Sequence, residues 1–156
     1  MPMTNVFTCG VFDLFHYGHL DFLLRARELG DRLIVGVNSD EYALAKKGRL
    51  IYSLRERMLM LSSLECVDAV HPFWEDDPRE LIRRLRPDIV VKGSEYSPAN
   101  APEAALIESL GGKFVTLPSL PIHSSDILER LTLGFPAAER QGYEERDKDG
   151  DKTTPH

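Results

Sequence analysis

The chain has few cysteines, no excess of positive charge and no long apolar run. Its two cysteines, Cys9 and Cys66, form no CxxC pair, and we expect both to be free thiols. The net charge is −6, whereas proteins that coat nucleic acid present broad basic faces. No apolar stretch reaches about 18 residues, and no charged-then-apolar signal stands at the start. The sequence therefore predicts a soluble cytoplasmic protein that binds neither nucleic acid nor membrane.

The length and composition predict one folded domain with a tail. The chain has 156 residues, of which 42% are apolar and 28% charged, enough to bury a core. The apolar pattern stops after Leu133, and beyond Phe135 mixed charges follow with almost no apolar residue. We predict a domain over residues 1–133 and a disordered charged tail over residues 134–156.

Short β-rich runs alternate with amphipathic segments, which is the pattern of repeated βα units around a parallel sheet. The short runs are rich in Val, Ile and Phe, as strands buried on both faces must be. We predict an α/β fold with a parallel five-stranded sheet. The predicted strands are Asn5–Cys9, Arg32–Val37, Asp68–Phe73, Asp88–Val91 and Lys113–Leu117.

Capping signals mark where the helices begin. Ser53 and Glu56 form a capping-box pattern at the start of the second predicted helix. Asp77 is the predicted N-cap of the third, with Pro78 at its first helical position, and Pro102 opens the fourth. The stretch between the second strand and Ser53 is predicted to be a loop.

The most informative stretch is residues 10–19, Gly-Val-Phe-Asp-Leu-Phe-His-Tyr-Gly-His, where a strand passes into a helix. Ligands of α/β folds bind at the carboxyl ends of strands, and a helix N-terminus attracts anions. Because two residues separate them, His16 and His19 can converge on one phosphate, and Gly18 lets a nucleotide approach the backbone. A lone histidine would more often be structural, but the whole GxFDxxHxGH pattern favours a phosphate site.

This stretch is similar to the HxGH signature of the cytidylyltransferase-like nucleotidyltransferases, and the similarity continues through residues 29–40. It covers roughly residues 5–132. Residues 91–98, Val-Lys-Gly-Ser-Glu-Tyr-Ser-Pro, most resemble the adenylyltransferases that make ADP-heptose, whereas the start of the chain equally resembles glycerol-3-phosphate cytidylyltransferases. The resemblance implies a Rossmann-like three-layer sandwich.

The resemblance also implies a reaction, in which a substrate phosphate attacks the α-phosphate of a nucleoside triphosphate and pyrophosphate leaves. Catalysis would then rest on positioning and on positive groups facing the developing charge. His16, His19 and Lys46 are expected to be catalytic, with Lys47 as the adjacent alternative in the predicted loop. Arg57 is expected to contact the β- and γ-phosphates. The alternative for these cations is a solvated basic surface.

Further contacts are expected along the same edge of the sheet. Asp13 would orient a substrate hydroxyl or a histidine, or else bond its own turn. Tyr96 would border the acceptor pocket, or else be a partly buried loop aromatic. Asn38 is a third expected substrate contact. The expected nucleotide and phosphate contacts here are Cys9, Gly10, Val11, Phe12, Gly18, Lys92 and Gly93.

The segment before the last helix departs from the family pattern. Residues 121–125, Pro-Ile-His-Ser-Ser, replace the family's Gly-Ile-Ser-Thr-Thr, and an arginine just upstream is missing. Ser124 and Ser125 are expected to bind phosphate, while His123 either replaces the lost positive charge or caps the turn. The missing arginine counts against an ordinary cytidylyltransferase and favours ATP over CTP.

We therefore interpret the chain as an enzyme that joins NMP from a triphosphate, preferably ATP, to a phosphorylated sugar or polyol. Mg²⁺ is expected as cofactor, bound mainly through the triphosphate, with no dedicated protein metal site. Two alternatives stay open: a CTP-dependent glycerol-3-phosphate-type cytidylyltransferase and a nucleotide-binding sensor without catalysis. After the third strand, His71, Phe73, Trp74 and Glu75 fit either a loop or the subunit contact of a homodimer.

Overall fold

The computed structural model describes residues 2–133, so the predicted tail lies outside the described residues. The described residues divide into two units, the first ending at Ile122 and the second beginning at His123. The elements in chain order are β1 (Asn5–Gly10), α1 (Tyr17–Arg27), β2 (Arg32–Asn38), α2 (Asp40–Lys47), α3 (Leu54–Ser62), β3 (Ala69–Phe73), α4 (Arg79–Leu85), β4 (Ile89–Gly93), α5 (Pro102–Ser109), β5 (Lys113–Leu117) and α6 (Ser124–Leu133). All but α6 belong to the first unit.

The five strands form one parallel sheet in the order β3-β2-β1-β4-β5, which confirms the predicted sheet. Asp68 and Asp88, predicted as first strand residues, lie one position before β3 and β4. Each extends the ladder with its carboxylate, which accepts a backbone N–H of the neighbouring strand: Leu33 donates to Asp68 over 2.8 Å and Asn5 to Asp88 over 2.7 Å.

Helices cover both faces of the sheet, because alternate residues of each buried strand point to opposite sides. On β1, Val6 belongs to a buried cluster that includes Leu23 of α1 and extends to α3. The next residue, Phe7, belongs to a second cluster that includes Ile107 of α5 and extends to α4. The structure thus confirms the Rossmann-like three-layer sandwich.

The ladder between β1 and β4 is the shortest in the sheet. The β1–β4 ladder consists of the pairs Val6–Ile89 and Phe7–Val90. Beyond it, the Thr8 hydroxyl donates to the carbonyl of Val91 over 2.9 Å. The strand order reverses between β1 and β4, so this is the switch point at which α/β sheets bind ligands. Their last residues, Gly10 and Gly93, border the crevice.

A helix occupies the stretch that the sequence predicted as a loop. Ser39 caps α2, its hydroxyl accepting the N–H of Tyr42 over 3.2 Å, and acidic residues fill the first turn. Lys46 and Lys47 fill the last turn, and Gly48 ends the helix in the left-handed region with φ of 69°. The loop prediction was wrong, although the cap, the charges and the terminal glycine together indicate a short helix.

Two other helix starts match the sequence signals and one does not. Ser53 and Glu56 form the predicted capping box of α3, and Pro102 is the first residue of α5. Helix α4 begins at Arg79, with Pro78 rather than Asp77 in the cap position. The Asp77 carboxylate still accepts the N–H of Arg79 over 3.0 Å, which is the bond expected of the predicted cap, although the helix begins one residue later than predicted.

Candidate active site

The loop between β1 and α1 is held in a strained conformation. Phe12 and Leu14 have φ of 53° and 51°, the left-handed region that side chains disfavour. Asp13, which is buried, fixes the loop: its carboxylate accepts the backbone N–H groups of Ile51 and Tyr52 over 2.8 and 2.9 Å. Strain of this kind clusters at functional sites. The Asp13 carboxylate thus anchors a loop, and its expected role in orienting a substrate hydroxyl or a histidine stays a prediction.

His16 and His19 cap helix α1 and stack against each other. The Nδ1 atom of His16 accepts the N–H of Gly18 over 3.0 Å, and Nδ1 of His19 accepts the N–H of His16 over 3.2 Å. The two ring centroids are 3.8 Å apart. A Cβ on Gly18 would lie 2.9 Å from Cε1 of His16, so the His16 ring itself requires glycine there. The structure thus places His16, Gly18 and His19 next to one another, as the sequence predicted.

The capping bonds decide where the histidines carry their protons. Since each Nδ1 accepts a hydrogen bond, the neutral ring carries its proton on Nε2 and can donate from there. Burial, with smaller contributions from His16 and Lys47, lowers the pKa of His19 to about 3. Phe12 and Phe15 flank its ring at centroid distances of 5.4 Å. His19 is therefore a neutral hydrogen-bond donor at pH 7, not the positive group that was expected.

The two lysines of α2 face different surroundings. Consecutive helical residues point about 100° apart, so Lys46 and Lys47 do not share a face. The charge of Lys47 is near enough to lower the pKa of His19. Lys46 instead places Nζ 5.7 Å from the centroid of the Tyr42 ring and lines a separate open pocket. We therefore carry Lys47, the alternative match, forward as the candidate lysine of the histidine site.

Arg57 is buried within the protein rather than exposed on a helix face. Its guanidinium donates to the carbonyls of Tyr52 (3.1 Å), Val11 (2.8 Å) and Asn38 (2.8 Å) and pairs with the Asp40 carboxylate (2.7 Å). Arg57 is fully buried and Asn38 nearly so. These donors tie together the ends of β1 and β2 and the start of α3, and the contact of Arg57 with phosphates stays a prediction. Asn38 contributes its backbone carbonyl to this arrangement.

Lys92 lies at the carboxyl end of β4 between a carboxylate and an aromatic ring. It forms an ion pair with Glu103, which is fully buried, and its Nζ is 4.1 Å from the centroid of the Tyr96 ring. Burial alone would lower the pKa of Lys92, but Cys9 and Glu103 outweigh it and raise the pKa. Burial also raises the pKa of the Cys9 thiol to about 12. The positive charge of Lys92 is thus balanced by the carboxylate of Glu103, a partner that the sequence did not reveal.

The small residues at this crevice have different neighbours. A Cβ on Gly10 would lie 3.1 Å from the Phe12 ring, and a Cβ on Gly93 would collide with the Glu95 carboxylate. Val11 and Phe12 are almost buried, so only their backbone groups suit a nucleotide contact. Cys9 and Gly10 end β1 beside these residues, as predicted.

The second unit contains the expected phosphate-binding residues of the last helix. Within it, the backbone N–H of His123 donates to the Asp126 carboxylate over 2.9 Å, and the His123 carbonyl accepts the N–H of Asp126. Helix α6 begins at Ser124, followed by Ser125. Their binding of phosphate stays a prediction.

Among residues 2–133, no three His, Cys, Asp or Glu side chains are grouped so as to hold a metal ion. No helix in that range has the length and apolar character needed to cross a membrane. Cys9 and Cys66 are both free thiols, as predicted.

Comparison with known proteins decides the family. The model of the family described as Cytidylyltransferase-like matches residues 7–130. The chain belongs to this family. This cytidylyltransferase-like chain is 46% identical over 121 residues to a protein of Bordetella bronchiseptica named D-beta-D-heptose 1-phosphate adenylyltransferase, covering 76% of this chain and 75% of that protein. The resemblance inferred from the HxGH stretch is confirmed.

Other relatives of this cytidylyltransferase-like chain are longer or come from solved structures. It is 45% identical over 131 residues to the bifunctional protein HldE of Syntrophotalea carbinolica, covering 82% of this chain but 27% of HldE. The chain thus spans about a quarter of that relative. A solved lipopolysaccharide core biosynthesis protein from Thermoplasma volcanium has a TM-score of 0.66 and 29% identity, covering 76% of this chain and 99% of that one.

Proposed function

We propose that the chain is a nucleotidyltransferase that transfers AMP from ATP to a sugar 1-phosphate, with heptose 1-phosphate as the favoured acceptor. The observation that carries this proposal is the stacked His16–His19 pair at the β1–α1 turn, whose Nδ1 atoms are both engaged by backbone N–H groups. This arrangement leaves the proton of each neutral ring on Nε2, so that both rings can donate a hydrogen bond near the switch point. The name of the 46% identical relative, D-beta-D-heptose 1-phosphate adenylyltransferase, supports the acceptor class.

In the proposed reaction an oxygen of the sugar phosphate attacks the α-phosphorus of ATP. A new P–O bond forms, the bond from the α-phosphorus to the bridging oxygen breaks, and pyrophosphate carries away the electron pair. His16 and His19 donate hydrogen bonds from Nε2 to the α-phosphate oxygens, where negative charge grows. Because the protein already fixes these donors through Nδ1, little reorganisation is needed during the reaction.

The cations of this step come from α2 and from a metal ion. Lys47, in the last turn of α2, would stabilise the leaving pyrophosphate. Mg²⁺ would neutralise phosphate charge and is proposed to enter bound to the triphosphate. Because no three His, Cys, Asp or Glu side chains among residues 2–133 are grouped to hold a metal ion, we propose that the triphosphate supplies most of the metal's ligands. We also propose a cytoplasmic location, since two free thiols suit a reducing compartment.

The two lysines offer an internal control, because they are adjacent in sequence but differ in direction. Lys47→Ala is expected to lower kcat about 10²-fold, as expected on losing a group that stabilises developing charge. Lys46→Ala should leave kcat within about threefold. Steady-state kinetics of both variants measures the difference. Small, equal effects on kcat would show that both lysines are merely solvated, and a larger effect of Lys46→Ala would restore the original assignment.

The proposed preference for ATP is tested by a pyrophosphate-release assay with ATP, CTP, GTP and UTP, each paired with heptose 1-phosphate and with glycerol 3-phosphate. We expect kcat/KM for ATP to exceed that for CTP by about tenfold or more, since a wrong base leaves buried polar groups unpaired. A tenfold preference for CTP would instead indicate a cytidylyltransferase. Nucleotide binding without turnover of any pair would indicate a sensor and contradict the proposal.

A further inference from the structure

The buried ion pair between Lys92 and Glu103 takes no part in the reaction as proposed above. Oε1 of Glu103 forms the ion pair with Nζ of Lys92. The other carboxylate oxygen, Oε2, is buried and has no hydrogen-bond partner among residues 2–133. Most buried polar atoms in proteins have a partner, and an exception calls for an explanation in terms of stability or function.

The register of the sheet places this ion pair at the crevice between β1 and β4. The β1–β4 ladder ends at the pair Phe7–Val90, so two residues further on Cys9 lies opposite Lys92. In agreement with this position, burial raises the pKa of Cys9 while the charge of Lys92 partly offsets the effect. Glu103 lies in the first turn of α5, which packs on the same face of the sheet. A negative charge is favourable at that end of a helix.

Lys92 is the member of the ion pair that a ligand can reach. The side chain of Glu103 is fully buried, whereas that of Lys92 is 14% exposed. The Tyr96 ring lies 4.1 Å from Nζ of Lys92 and provides a second contact for the ammonium. A lysine side chain is flexible and loses rotamer entropy when a ligand immobilises it. Glu103 and Tyr96 remove that freedom before a ligand binds, and such preorganisation raises affinity.

The charges of the pair determine which kind of atom Lys92 can bind. A phosphate next to the ammonium would also lie close to the Glu103 carboxylate, and this repulsion opposes the attraction. A neutral acceptor, such as a ring nitrogen or a hydroxyl oxygen, is not repelled in this way. It can accept one of the three N–H groups of the ammonium. The pair therefore suits a neutral part of a nucleotide better than its triphosphate.

We propose that Glu103 is a positioning residue, which holds the ammonium of Lys92 for a hydrogen bond to a neutral acceptor atom of the nucleotide. The proposal rests on the proposed function, which makes the nucleotide a substrate, and extends it to two residues without a role in the reaction. Stability alone explains the pair less well, because apolar residues of similar volume often stabilise a fold as much as a buried ion pair does.

Isothermal titration calorimetry of the full chain with Mg²⁺, but without a sugar phosphate, measures Kd for ATP, adenosine and inorganic tripolyphosphate. Glu103→Gln keeps the size of the side chain and removes its charge. We expect it to raise Kd for ATP and for adenosine about tenfold and to leave Kd for tripolyphosphate within about twofold. Glu103→Asp should recover part of the affinity, because it restores the carboxylate on a shorter side chain. Glu108→Gln, at an exposed position of α5, is the matched control and should change no Kd.

A double variant shows whether Glu103 acts through Lys92. Lys92→Met should raise Kd for ATP about tenfold, and Lys92→Met/Glu103→Gln should raise it no further. The double variant has a neutral pair of similar volume, so it should fold even if Glu103→Gln, which leaves Lys92 without its counter-charge, does not. Additive losses of affinity, or an unchanged Kd for ATP in Lys92→Met, would overturn the proposal. Tighter binding of tripolyphosphate by Glu103→Gln would also overturn it and make Lys92 a phosphate ligand.

The binding measurements separate this proposal from the proposed function. If the unmodified chain turns over ATP and heptose 1-phosphate while the variants keep its Kd for ATP, the positioning role alone is refuted. If the unmodified chain shows the expected pattern of Kd values but releases no pyrophosphate with any acceptor, the proposed function alone is refuted. Absence of nucleotide binding by the unmodified chain would refute both.

Discussion

His16→Ala and His19→Ala are each expected to lower kcat about 10²-fold or more while the chain still folds. Each substitution removes one Nε2 donor that the β1–α1 turn fixes in advance, and water in its place would need to reorganise during the reaction. The effect should fall on kcat, because the donors act on charge that develops only in the transition state. Steady-state kinetics with ATP and heptose 1-phosphate, together with circular dichroism, measures both parts of the expectation.

One further variant separates the capping role of His16 from its catalytic role. His16→Ala also removes a cap from α1, which costs about 1 kcal/mol of stability. His16→Asn offers an oxygen to the N–H of Gly18 and so restores the cap, but it has no donor at the position of Nε2. We expect His16→Asn to melt close to the unmodified chain and to remain as inactive as His16→Ala. Recovery of kcat in His16→Asn would show that the ring serves only to hold the turn.

Arg57→Ala is expected to cause the largest loss of stability, about 3–5 kcal/mol, because it empties the space of a fully buried side chain and leaves buried carbonyls without donors. The substitution leaves three backbone carbonyls and the Asp40 carboxylate without the donors that the structure gives them. Chemical denaturation followed by circular dichroism measures the free energy of unfolding. Arg57→Lys should recover only part of the lost free energy of unfolding, because an ammonium cannot reproduce the planar set of donors of a guanidinium.

The matched control for this prediction lies on the same helix. Arg55 is an exposed residue of α3, and Arg55→Ala should change the free energy of unfolding by no more than about 0.5 kcal/mol. If Arg57→Ala instead keeps full stability and raises KM for ATP, Arg57 is the phosphate ligand that the sequence suggested. That outcome would contradict the structural role.

The sequence predicted those features of the protein that depend on residues close together in the chain. Strands buried on both faces read as short apolar runs, and the Ser53 capping box is visible three residues apart. The histidine pair was recognisable because both rings and the glycine between them lie in four residues. Helix α2 could have been recognised from Ser39 and Gly48, but its eight residues are too short for a clear apolar period.

The parts that were missed depend on contacts between distant segments. Arg57 is buried because the ends of β1 and β2 and the start of α3 converge on it, and no local pattern reveals that convergence. Glu103 is paired with Lys92, eleven positions away on another element. The choice between Lys46 and Lys47 depends on where α2 begins, since a shift of one residue rotates the face by about 100°.

Phosphorus NMR of the complete reaction shows directly whether the chain transfers AMP from ATP to heptose 1-phosphate. The full chain is mixed with ATP, Mg²⁺ and heptose 1-phosphate, and the products are followed by their ³¹P resonances. As ATP and heptose 1-phosphate disappear, we expect pyrophosphate and a sugar nucleotide to appear in equal amounts. The sugar nucleotide is recognised by its two coupled phosphorus atoms. Formation of ADP with free phosphate, or no reaction while ATP binds, would contradict this expectation.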